Sequence, residues 1–186
     1  MKECLPLRPI LLALIAVLLG GCASMEEYSC DMHEQQTRGE KPVTTYRLVE
    51  MKPGQAAARI LPAGSVAQAP TYTMSFKPGF TKPCTTLSLY KNVVVYRSND
   101  ADVVLNEVRE FYAEDGTLIA TNTQDITTQV KTSGTYIATT PLPVPKSAPP
   151  GKYKIVSKLL FERRHDRRPA VLIAHAEGFF YIIPRQ

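Results

Sequence analysis

Fifteen prolines are spread through a chain of 186 residues, and the runs between them are rich in β-branched and aromatic residues. Proline fixes its own backbone torsion and donates no hydrogen bond. Helices must therefore break at each proline, whereas strands can stop or turn there, and few long helical patterns lie between them. The chain is steered toward an all-β fold. Its apolar content of 44% suits a globular core and is too high for general disorder. The length accommodates one ordinary domain with a tail.

The first residues read as an export leader. Lys2 and Arg8 give a positive start, Ile10 to Leu19 is an uncharged apolar run, and Leu19-Gly20-Gly21-Cys22 follows. The run is short for a membrane span, which needs about 20 residues, but suits a signal-peptide core. Small residues before Cys22 admit the backbone to a peptidase groove, and the thiol offers a nucleophile for lipid attachment. This segment resembles the bacterial lipobox. The resemblance implies cleavage before Cys22, a diacylglycerol thioether on that sulfur and a further acyl group, such as palmitate, on its amine. Ala23 is not the aspartate that retains such proteins in the inner membrane. The expected location is therefore the outer membrane, lipid-anchored and facing the periplasm or the cell surface.

Of the cysteines, Cys4 leaves with the leader and Cys22 carries lipid, so Cys30 and Cys84 remain. In an oxidising compartment they are candidates for a disulfide, the alternative being thiols partnered elsewhere. Residues 22–43 are strongly polar and read as a flexible tether, and 44–70 as an irregular or edge segment in which Thr44 to Met51 is β-prone.

From 71 to 186 the strand signals thicken. Tyr72, Met74 and Phe76 alternate with Thr71, Thr73 and Ser75, and Leu87-Ser88-Leu89 leads into Val93-Val94-Val95. Val104, Val108 and Phe111 fit a helical face, yet the Glu114-Asp115-Gly116 turn before Thr117 to Thr121 favours a bulged strand entering a hairpin. Pro141-Leu142-Pro143-Val144-Pro145 must lie at an edge or cross between sheets. Pro149-Pro150-Gly151 turns into Tyr153 to Phe161, with Tyr153, Ile155 and Leu159 as core residues, and Pro169 to Ile183 closes the domain. This order resembles the immunoglobulin-like or fibronectin-type antiparallel β-sandwich of bacterial envelope proteins. The chain lacks the Cys…Trp…Cys core of true immunoglobulin domains, having no tryptophan.

Charge excludes little but nucleic acid. Lys2 and Arg8 against Glu3 account for +1 of the net +5 and leave +4 for residues 22–186, too mild for a nucleic-acid surface. Arg163, Arg164, Arg167 and Arg168 cluster around His165, where guanidinium forks suit phosphates of lipid or lipopolysaccharide, or an acidic partner; the plainer reading, with Glu162 and Asp166 partly neutralising them, is a solvated hairpin tip. Cys30-Asp31-Met32-His33 is half a zinc site without a second pair. His165 and His175 have no Gly-x-Ser-x-Gly companion, and no glycine-rich phosphate cradle occurs. The expectation is a non-catalytic module without cofactor or metal, anchored through Cys22 and serving a protein partner in an envelope assembly. A ligand-, glycan- or lipopolysaccharide-binding or inhibitory domain stands second, and a hydrolase third.

Overall fold

The computed structural model describes residues 25, 27–49, 61, 65–98, 102–165 and 168–185. Cys22 and Arg167, both singled out above, lie outside them. The chain is an immunoglobulin-like β-sandwich. Its strands are β1 (Thr45–Leu48), β2 (Ala67–Phe76), β3 (Phe80–Thr81), β4 (Thr85–Arg97), β5 (Val103–Tyr112), β6 (Leu118–Asp125), β7 (Gly134–Val144), β8 (Gly151–Arg163) and β9 (Val171–Ile182). One sheet has the order β1-β7-β4-β2 and the other β3-β9-β8-β5-β6. Pairing is antiparallel except between β3 and β9. In immunoglobulin lettering β2-β4-β7 stand as A-B-E and β6-β5-β8-β9 as C′-C-F-G. The edge beside E, where strand D would be, is filled from the N-terminal side by β1.

Two details tie the sequence to this fold. The Tyr153 hydroxyl, near the start of β8, donates to the Pro149 carbonyl at 2.7 Å. This is the tyrosine corner of such sandwiches, and Ile155, two residues on and fully buried, stands where their second cysteine would be. It packs with Leu87, Leu89, Leu142, Val144, Phe180 and Ile182 at one pole. Val93, Val95, Leu105, Leu159 and Ala176 fill the middle and the opposite pole with Ala67 and Val130.

The expected bulged strand is β5, whose register shifts between Phe111 and Tyr112 as it pairs with β6. Gly116 takes the left-handed conformation (φ 84°) that the hairpin turn requires. Pro141 and Pro143 lie within β7, paired through Pro141↔Ser88 and Pro143↔Thr86 to β4, and Pro145 follows its end. On its other side β1 reaches only Tyr136 to Thr139, so the prolines occupy a stretch that is an edge in all but name.

The flexible tether expected over residues 22–43 is corrected in part. Residues 27–37 form a helix, α1, ended by Gly39 in the left-handed conformation (φ 78°) with Glu40 N–H donating to Thr37 O at 3.1 Å. Cys30 is buried, and His33, Glu34 and Thr37 are half-buried, which is one helical face at i, i+3, i+4 and i+7. A face with one apolar member reads as polar tether from sequence. The disulfide supplies the hold that hydrophobic burial does not. Within 44–70 the β-prone Thr44 to Met51 yields the edge strand β1, as expected, while β2 begins at Ala67 rather than 71.

Candidate functional site

The central strands carry charge inward. Period-2 alternation on β4 turns Leu87, Leu89, Lys91, Val93 and Val95 to one side, and on β5 it turns Leu105, Glu107 and Arg109 to the same interior. Lys91 pairs with Glu107 across the sheets, Arg109 lies 3.5 Å from the other carboxylate oxygen, and all three side chains are fully buried. Charges in such a place must be paired and hydrogen-bonded, and these are. Glu107 Oε1 accepts from the Tyr72 hydroxyl at 3.0 Å and from the Ser157 hydroxyl at 2.6 Å. Lys91 donates to Thr44 Oγ1 at 3.1 Å, which meets Thr140 Oγ1 at 2.7 Å. Burial raises the Glu107 pKa, but Lys91 and Arg109 outweigh it and hold the carboxyl at about 2. Burial likewise pulls Lys91 down to about 8 against the attraction of Glu107. At neutral pH Lys91 and Glu107 are both charged.

The same cluster fastens the N-terminal arm. Arg109 Nη2 donates to Pro42 O at 2.6 Å, Asn122 Oδ1 at 3.0 Å and Gln124 Oε1 at 3.3 Å. Gln124 accepts from Thr44 N–H and donates to Thr44 O, each at 2.7 Å, and Gln129 accepts from Tyr46 N–H at 2.6 Å. Side-chain amides thus stand in for a neighbouring strand, clipping β1 to the second sheet. With no surface exposed, the cluster holds the two sheets and the N-terminal arm together as a structural lock.

Beside this lock the sandwich is open. Among the described residues no strand pairs with the outer edge of β7 past Thr139, and a groove of about 510 Å³ runs between its end, the arm at Glu40 to Pro42 and the first half of β6. Phe111, Leu142, Val144, Phe180 and Ile182 lie along it, and Ile119 is exposed at the rim. Such a volume and lining suit a mostly apolar ligand. Sequence reasoning missed the groove.

The predicted site residues fall at several places. Cys30 is bonded to Cys84, which takes the left-handed conformation (φ 63°), a position a non-glycine residue rarely adopts. The oxidised sulfur removes the half zinc site, and among the described residues no group of three His, Cys, Asp or Glu is arranged to hold a metal. Helix α1 lies at the Tyr153 pole, where His33 Nε2 is 3.3 Å from Thr86 Oγ1 and Lys146 pairs with Asp31 at 2.9 Å and Glu27 at 3.4 Å. Arg163, Arg164 and Arg168 are exposed at the opposite pole, where Arg163 and Arg168 border a cleft of about 170 Å³ with Phe161 and Val171. His165 is in the same turn, 3.8 Å from Asp102. His175 is exposed on β9, and its neighbour Ala176 is the one in register with buried Ser157, so histidine and serine face opposite ways. Among the described residues, no helix is long and apolar enough to cross a membrane.

No family model and no curated protein matches the chain. Among solved structures, the CARDB domain of a Pyrococcus furiosus protein is 14% identical, with 63% of this chain covering 94% of that one at a TM-score of 0.33. A β-glucuronidase of Bacteroides uniformis is 20% identical, with coverage of 63% and 13% and a TM-score of 0.36. A family 123 glycoside hydrolase from Clostridium perfringens is 10% identical, with coverage of 57% and 22% and a TM-score of 0.34. The chain thus spans less than a quarter of either glycosidase, and these likenesses say nothing of what it binds.

Proposed function

We propose that the chain is a bacterial lipoprotein, cut before Cys22 and held by lipid on that residue at the outer membrane, whose sandwich is a non-catalytic binding or scaffolding module in an envelope assembly. The observation that carries the reading is the Leu19-Gly20-Gly21-Cys22 sequence after an apolar run. The Cys30–Cys84 disulfide supports it, because such bonds persist in exported proteins. The helix refines it. Residue 27 begins five positions after Cys22, a reach of at most about 18 Å. The Tyr153 pole is then held close to the bilayer, and a lipid tether of this kind raises local concentration for a membrane partner. Mass spectrometry of the native protein tests the anchor, the expected product starting at a lipid-modified Cys22. An unmodified thiol or an uncleaved leader overturns it. Crosslinking in cells followed by affinity capture tests the module, and recovery of the monomer alone counts against it.

A second reading has one observation in its favour. The exposed arginines lie at the pole away from α1, so on a tethered sandwich they face a soluble anionic partner such as a glycan or acidic protein rather than the home bilayer. Loss of lipopolysaccharide or cell-wall fragment binding in a variant with Arg163, Arg164, Arg167 and Arg168 all replaced by serine would favour this reading over scaffolding.

A further inference from the structure

We propose that the groove between β6 and the end of β7 takes one acyl chain of the lipid carried on this chain's own Cys22. The proposal rests on the lipoprotein reading above.

The groove excludes a peptide strand by its chemistry. Cys84 N–H donates to Val144 O and Val49 N–H to Thr135 O, so the even residues of β7 point their backbone groups at β4 and the odd ones at the open side. The odd residues past the end of β1 are Pro141 and Pro143, which have no N–H. This edge offers carbonyls only, and a strand laid along it would leave its own carbonyls unpaired. A hydrocarbon chain has nothing to pair. It gains from Phe111, Leu142, Val144, Phe180 and Ile182, and it covers Ile119, which is otherwise 55% exposed.

The N-terminus brings such a chain to the place. Glu27, at the start of α1, pairs with Lys146, which lies between the groove residues Pro145 and Ser147. Cys22 is within about 18 Å of Glu27 by chain length alone, and Glu27 is bound through its side chain to the rim. A tail delivered over so short a link binds as an intramolecular ligand, at an effective concentration in the millimolar range. Two chains suffice for stable anchoring. A lipid with a diacylglycerol and an amine-linked acyl group can therefore place one chain in the groove and keep two in the bilayer. The sandwich is then fixed in orientation as well as in place, with the groove and α1 toward the membrane.

The test compares the lipidated mature protein in detergent micelles with mature Cys22→Ala protein, exported on a leader cut by ordinary signal peptidase so that it carries no lipid. The probe is palmitate, followed by calorimetric titration. The unlipidated protein is expected to bind one palmitate per chain. Ile119→Glu and Ala120→Trp, both at exposed positions and each checked for an unchanged melting temperature, should weaken that binding roughly tenfold or more. The lipidated protein should take up little palmitate, its groove being filled. Absence of saturable binding to the unlipidated protein overturns the groove as an acyl site. Equal binding by both forms overturns the protein's own lipid as the occupant. Failure of the underlying reading shows separately, as an unmodified Cys22 in the mass of the native protein.

Discussion

Lys91 on β4 and Glu107 on β5 meet as an ion pair between the two sheets, out of reach of solvent, with Arg109 beside them. Net charge in the core is held down only while Glu107 is present. Glu107→Gln leaves two cations where one carboxylate served both and is expected to destabilise the fold by about 3–5 kcal/mol. Replacing Lys91 and Glu107 together by Met and Leu returns the buried charge to one cation, Arg109, still bonded to Pro42, Asn122 and Gln124, and should recover part of that loss. Urea melts of the single and double variants check this, and a Glu107→Gln protein as stable as wild type would refute it.

The same carboxylate sets the acid limit of the fold. Burial favours its neutral form, but Lys91 and Arg109 prevail and hold it at about 2, against 4.5 for an ordinary glutamate. The folded value is depressed, so the folded state binds fewer protons than the unfolded one in that interval. The stabilisation is present above pH 4.5 and is lost as pH falls toward 2. Full loss amounts to on the order of 3 kcal/mol. Thermal melts should hold steady from neutral pH down to about 5 and then fall. Glu107→Gln should flatten that fall, and an unchanged acid slope in this variant would refute the assignment.

Strands whose two faces differ in polarity were legible in sequence, and the lock was not. Tyr72, Met74 and Phe76 announce β2 because polar neighbours mark the other face, and the Asp-Gly turn decided β5 against a helix. The charged members of β5 sit on the wrong side of that logic. Val108 is the residue turned partly outward, while Glu107 and Arg109 are inside. Val104, Val108 and Phe111 therefore pointed to a face that does not exist. The available signal was parity: Lys91 shares its side with Leu87, Leu89, Val93 and Val95, as Glu107 and Arg109 share theirs with Leu105. Opposite charges at inward positions of two central strands imply a cross-sheet pair. The groove had no comparable signal, because it arises from where β1 stops along β7, a matter of register between distant segments.

The tyrosine corner predicts a smaller effect. Tyr153→Phe keeps the ring that stacks on Phe180 at 5.4 Å and removes only the hydroxyl that donates to Pro149 O. The expected loss is about 0.5–1.5 kcal/mol, the net worth of one hydrogen bond. The connection from Pro145 to Pro150 should also exchange amide protons faster. A denaturation midpoint equal to wild type, with unchanged exchange at Ala148, would show that the bond contributes nothing.

The helix should depend on its disulfide far more than the sandwich does. Cys30 is the only residue of α1 that is buried, and the ion pairs of Lys146 with Glu27 and Asp31 are exposed, a class that contributes little. Cross-linking residues separated by 54 positions removes unfolded-chain entropy equivalent to about 4 kcal/mol in the chain model. Without it, α1 has almost nothing to hold it and should detach while β2 to β9 stay folded, so the global melt should fall by less than that amount. Cys84→Ser, or reduction of the native protein, is therefore expected to open the Arg38–Gly39 bond to rapid trypsin cleavage and to leave a trypsin-resistant core that melts cooperatively. Freed of α1, the link from Cys22 to the sandwich lengthens to the residues before Pro42, where Arg109 takes hold, and the pole near Tyr153 is no longer kept at the bilayer. Cleavage after Arg38 as slow as in the oxidised protein would refute the dependence.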